Sequence, residues 1–214
     1  MKEKMAGAQK PTFALAENRF LFEIKKNRDK SSRKEVKKLI KPENAQDVIR
    51  NLPGPGDTVH AVLRGNFVVG DMLPYLLTFT GYCPLLRISS LSVSDHNAET
   101  LRDLVTAGKV GRTMLIVSHW FKGGHEAGAF RSITNIIGDT GEIKATRCHA
   151  KMILIRSADF NLVLAGSANL RSSDSLEQIT IHNDPEVYDF HAAWMDEMRD
   201  EKKHSIGEKR QVIT

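Results

Sequence analysis

Little in this chain speaks for a disulfide-stapled or membrane-embedded protein. Cysteine occurs only at Cys83 and Cys148 in 214 residues. Two thiols give no disulfide framework, and a reducing, cytoplasmic setting is the expectation. Cys148 adjoins His149, and a buried structural thiol is its expected state. No apolar run approaches the ~20 residues that span a bilayer. The opening residues, MKEKMAGAQKPTF, are basic with no apolar stretch, so no secretory leader is expected. Nothing repeats at a period of 20–50 residues, which excludes solenoids and propellers. The stretch from Gly65 to Gly70 lacks the GxGxxG spacing and the P-loop lysine, so it is no nucleotide loop. By position it is at most the rim of a site.

What is present fits a soluble globular protein with one sizeable core. Hydrophobic residues make up 41% and charged residues 27%, an ordinary balance. The net charge of +5 is uneven. Residues 1–41 hold thirteen Lys or Arg against five Asp or Glu, a balance of +8, and the remainder carries −3. A basic arm of this kind favours polyanions, chiefly nucleic acid through phosphate contacts and counterion release. Anionic membranes attract the same charges.

The arm is read as helical. Phe13, Leu15, Phe20, Leu21, Phe22 and Ile24 could form one apolar face. Ser32-Arg33-Lys34-Glu35 has the form of a capping box before Val36, Leu39 and Ile40. Pro42 interrupts that helix, and another could start at Glu43–Leu52. Pro53-Gly54-Pro55-Gly56 is a strong breaker, so the expected division is a basic extension over 1–53 and a domain over 54–214. Strands are expected at Thr58–Leu63, Leu85–Val93 and Thr113–Ser118. Helices are expected at Gly70–Phe79, Ala98–Ala107 and His125–Ile137, with a last one over Pro185–Lys203. Gly108 and Gly138 read as helix stops. The alternation argues α/β architecture, a mixed sheet flanked by helices.

The richest stretch runs from Cys148 to Leu170. Two apolar runs, Met152–Ile155 and Leu162–Ala165, flank a polar break and read as a β-hairpin. His149 and Lys151 lie two apart before it, and Ser167 and Asn169 two apart after it. Strand side chains alternate faces, so each pair points one way. A turn centred near Asp159 would set His149 opposite Asn169 and Lys151 opposite Ser167. A short strand at Glu177–Ile181 follows. Such a set suits phosphate chemistry. Histidine titrates near neutrality and can serve as nucleophile, base or acid. Lysine supplies a point charge for phosphate oxygens, and Ser and Asn supply donors.

His149-Ala150-Lys151 and Gly166-Ser167-Ala168-Asn169, with Glu177 downstream, resemble the HxK…GSxN signature of the phospholipase D superfamily. The resemblance covers about residues 54–200. It implies a phospholipase D-like mixed sheet and a phosphodiesterase that needs neither metal nor cofactor. His149, Lys151, Ser167, Asn169 and Glu177 would be its catalytic residues. Glu177 would hold the Nδ1–H of His149 and leave Nε2 to attack, forming a phosphohistidine. Larger members carry two such sets in one site. A chain with one set would bring two histidines together as a homodimer, and small single-set members are typically nucleases. One departure is plain. The HxKxxxxD pattern has Asp at position 156, where this chain has Arg156. Asp159 is placed at the hairpin tip, up to ~33 Å of strand from His149. The family's Asp is mainly structural, so the change bears on packing.

Other residues stay secondary. His119-Trp120-Phe121-Lys122 follows the third strand, where loops commonly line sites. Trp120 and Phe121 either stack on bases or anchor the loop, and Lys122 could meet a phosphate. His119 and His125 make an incomplete metal set. Arg147 and Arg171 could touch phosphate. His182, His191 and Trp194 read as packing or dimer contacts. The leading expectation is an endonuclease acting on DNA or RNA. The alternatives are a nucleic-acid-binding or assembly protein that has lost turnover, and a phospholipid-processing enzyme, against which stands the lack of an apolar anchor.

Overall fold

The computed structural model describes residues 37–64, 67–171 and 175–200. Eight strands form one mixed sheet in the order β1-β2-β8-β7-β6-β3-β4-β5. They are β1 Lys37–Ile40, β2 Thr58–Leu63, β3 Cys83–Ser90, β4 Val110–Ser118, β5 Gly141–Thr146, β6 Met152–Arg156, β7 Asn161–Gly166 and β8 Glu177–Asn183. The helices are α1 Ala45–Ile49, α2 Val69–Thr80, α3 Asp95–Thr106, α4 His119–Lys122, α5 Ala127–Ile137 and α6 Pro185–Asp200. The expected α/β class, a mixed sheet flanked by helices, is the one that forms. No helix among the described residues is long and apolar enough to cross a membrane.

Strand alternation divides the core. In β4, Leu115 and Val117 join the larger cluster, with Leu73, Leu77 and Leu101 of α2 and α3. Met114 and Ile116 turn the other way, toward Tyr188 and Met195 of α6. Each such side chain, fully buried, contributes about 1.5–3 kcal/mol. This explains why β4 reads as one apolar run. Both of its faces are covered. At the start of α3 the Ser94 side chain accepts from Asn97 N. Gly108 follows the helix at φ +67°, the left-handed stop its position predicts.

Several expectations are corrected. Lys37–Ile40 is a strand rather than a helix, paired in parallel with β2. Ala45 and Val48 of α1 are buried in the larger core. Residues 37–52 are thus built into one compact unit with the rest of the sheet. The Pro-Gly breaker is a turn within it, where Gly56 N donates to Asn183 O at 2.7 Å. The arm over residues 1–36 lies outside the described residues. β5 had no counterpart in the sequence reading. The hairpin register differs by one residue. Arg156 pairs with Asn161 and Met152 with Ala165. The same register carries Lys151 to Gly166, whose N–H donates to Lys151 O at 3.3 Å.

Strand directions decide where the site falls. β1–β5 and β7 end at the edge of the sheet where β6 and β8 begin. β5 is an outer strand, whereas β6 lies beyond β3 and β4. The five residues 147–151 therefore cross the ends of β4 and β3 as a strap. Three strand spacings are about 14 Å, within reach of that length of extended chain.

Candidate phosphate-chemistry site

The strap is pinned by Cys148, buried among Met114, Met152 and Tyr188 on the α6 side. Arg147 and His149 on either side of it are exposed. Burial pushes the Cys148 thiol up, and a backbone hydrogen bond from Ala150 and the charge of Lys151 pull it back only in part. Cys148 is thus an anchor, as expected. Lys151 Nζ donates to His149 O at 3.1 Å and lies 3.4 Å from His149 Nδ1. An ammonium group only donates. The nitrogen facing it therefore offers a lone pair, and a neutral ring carries its proton on Nε2.

The second half of the motif leaves β7 beside the strap. A Cβ on Gly166 would lie 2.0 Å from Gln178 O and 2.9 Å from Ile179 Cα. Only glycine lets β7 approach β8 this closely. Ser167 N donates to Gln178 O at 3.0 Å, and Ser167 Oγ accepts from Gln178 N at 3.1 Å. The Ser167 hydroxyl donates to the Glu177 carboxylate. Glu177 was expected to hold His149, but among the described residues its partner is Ser167. It opens β8, whose pairing with β7 sets it against the serine rather than the strap.

Asn169 works differently again. Its Oδ1 accepts from Leu91 N at 3.1 Å. Leu170 N donates to Ser90 Oγ at 2.9 Å, and Ser94 N to Leu170 O at 3.0 Å. Arg171 Nη1 donates to Ser92 Oγ at 3.2 Å and to Glu126 at 3.1 Å. The loop after β7 is thereby stitched to the loop after β3. The sequence reading missed Ser90 and Ser92, whose only signal is a serine doublet pattern after a strand. Lys151, Gly166 and Ala168 line one small hollow here. Asn169, Arg171 and Glu177 line its neighbour.

All five expected site residues thus reach one end of the sheet. His149 meets Lys151, and Ser167 meets Glu177. His119 opens α4 and His125 follows it, both exposed, and no group of three His, Cys, Asp or Glu among the described residues could hold a metal ion. His191 is instead a packing residue of α6, accepting from Trp194 Nε1 at 2.9 Å. Arg156 lies at the far end of the hairpin. It donates to Asn161 Oδ1 at 2.7 Å and Asp189 at 2.6 Å. Its guanidinium sits 4.0 Å from the Tyr188 ring centroid.

No family model matches the chain, and no curated protein matches it. Among the solved structures similar to it are two of known description. One is a phospholipase D family member, Nuc, from Salmonella typhimurium. The identity is 15%, over 67% of this chain and 93% of that one, with a TM-score of 0.47. The other is polyphosphate kinase from Porphyromonas gingivalis, at 11% identity and a TM-score of 0.48. That match covers 69% of this chain and 27% of the kinase, so this chain spans about a quarter of it.

Proposed function

We propose that this protein is a metal-independent phosphodiesterase, an endonuclease acting on DNA or RNA. The observation that carries the reading is the exposed His149 imidazole with the Lys151 ammonium 3.4 Å from its Nδ1, beside the loop that begins at Gly166. A phosphodiester needs its charge met before a nucleophile can approach. Lys151 is the cation for that task. In leaving Nδ1 for a phosphate oxygen it frees that nitrogen to hold the ring proton, and Nε2 becomes the nucleophile. Attack by Nε2 on phosphorus forms the N–P bond and breaks the P–O bond to the leaving strand. His149 of a second copy gives that oxygen its proton, then takes one from the water that releases the product. The Asn169 amide, held through its Oδ1, orients its N–H groups for the same phosphate. The basic segment within residues 1–41 adds sequence-tolerant affinity.

The deciding experiment incubates labelled DNA and RNA with wild type and His149→Ala in chelator and resolves the products on a denaturing gel. Wild type is expected to cut and the variant is not. Cutting that needs added metal would defeat the mechanism. Binding without product in both proteins would favour a phospholipase D-like binding or assembly module, and turnover of a short-chain phospholipid alone would favour a lipid enzyme.

A further inference from the structure

The loop after β4 carries two neighbouring aromatics with opposite fates. Phe121 is 2% exposed in the larger core, edge-on to Phe130 at 5.8 Å. It anchors α4. Trp120 is 76% exposed, so the fold gives its indole no packing task. The helix turn fixes it nonetheless. The Ser118 side chain accepts from Trp120 N at 3.3 Å, and the His119 ring lies 5.0 Å away at a 40° tilt.

Position gives the indole a use. Ser118 of β4 pairs with Thr146 of β5, so Trp120 leaves the sheet beside the start of the strap. That strap crosses the end of β4 on its way to β6. A flat apolar ring therefore stands at the catalytic end of the sheet, with Lys122, Arg147 and Lys151 as cations on the same loops. An aromatic face beside cations that track a phosphate backbone is the arrangement that binds single-stranded nucleic acid. An exposed indole beside cations is also seen where proteins meet lipid, but the amphipathic helix beside it, α5, turns its apolar face into the core through Ile133 and Ile137 and so has none to enter a bilayer.

We propose that Trp120 is a stacking platform for one nucleobase of a single strand whose phosphate lies at His149 and Lys151. The inference rests on the nucleic-acid reading above and adds strand selectivity to it. Duplex bases are stacked on each other and present no free face, so single strands or frayed ends are the favoured substrates.

The test uses the full chain with Trp194→Phe, which leaves Trp120 as the sole indole of the two in the sequence. Its fluorescence is followed on adding oligothymidylate, or an abasic strand with the same number of phosphates. Oligothymidylate is expected to quench it and the abasic strand is not. Trp120→Ala is expected to weaken oligothymidylate binding about tenfold and to leave the abasic strand unaffected, while Trp120→Phe keeps most of the affinity. Equal weakening for both strands, absence of quenching, or a response confined to phosphatidylserine vesicles would overturn the proposal. Cleavage by the wild type is followed in parallel. Cleavage without quenching removes the stacking and leaves the enzyme. Quenching without cleavage removes the enzyme and leaves the stacking.

Discussion

The Ser167 hydroxyl donates its one hydrogen bond to the Glu177 carboxylate, while its oxygen accepts from Gln178 N. Ser167 therefore shapes the loop and has no donor left for phosphate while that bond holds. On the proposed function, Glu177 would act on the site through the serine. Glutamine can still accept from a hydroxyl, whereas alanine cannot. Glu177→Gln is expected to keep kcat within about tenfold, and Glu177→Ala to lose about a hundredfold, in initial rates on a labelled polynucleotide. Equal collapse in both variants would mean that the carboxylate charge serves His149 directly.

Gly166→Ala should cost stability whatever the reaction. Its added carbon would meet β8 backbone, which cannot rotate away as a side chain can. Overpacking of this kind costs about 1–3 kcal/mol. The urea midpoint should drop with the slope unchanged. An unchanged midpoint would show that β7 and β8 can separate freely.

Arg156 stands where the resembled pattern has an aspartate, and it ties the hairpin to α6 through Asp189 and the face of Tyr188. The pair with Asp189 is largely solvent-exposed, so its contribution is small. Arg156→Ala is expected to lower stability by about 1 kcal/mol. KM should stay as in wild type, since the contacts lie at the end of the hairpin away from His149. Arg156→Asp should be worse, because it sets a carboxylate beside Asp189.

Burial holds the His191 imidazole below its ordinary value of 6.5, and the nearby His182 adds to the effect. Trp194 Nε1–H points at its Nδ1, a bond that charging the ring would break. Between the folded value and 6.5 the unfolded chain binds more protons. The stabilisation is thus full above about 6.5 and is lost as pH falls from there through the folded value. Urea midpoints should fall between about pH 7.5 and 5.5 in wild type and fall less in His191→Gln. Parallel falls would assign the effect to other groups.

The sequence made β2 and β4 legible because their runs are apolar and bounded by breakers. It hid β1 and β5. Lys37–Ile40 has two lysines and four residues, too little pattern for a strand, and becomes one because the edge of β2 offers hydrogen-bond partners. Gly141–Thr146 is half polar because it lies at the other edge. The hairpin register slipped because the turn closes through Ser157 N to Phe160 O. Its centre falls between Ala158 and Asp159, not on a residue.

The sequence by itself determined which groups are available for chemistry: an imidazole, an amine, a hydroxyl, an amide and a carboxylate around one hairpin. Residue types and spacing are enough for that, since strand periodicity is local. Only the tertiary structure decided who touches whom. The partners of Glu177 and Asn169 lie on the loop after β7 and on the loop after β3. The exposure of Trp120 depends on the neighbouring Phe121 filling the core. Such pairings are set by strand order and by close backbone approach, which join residues far apart in the chain.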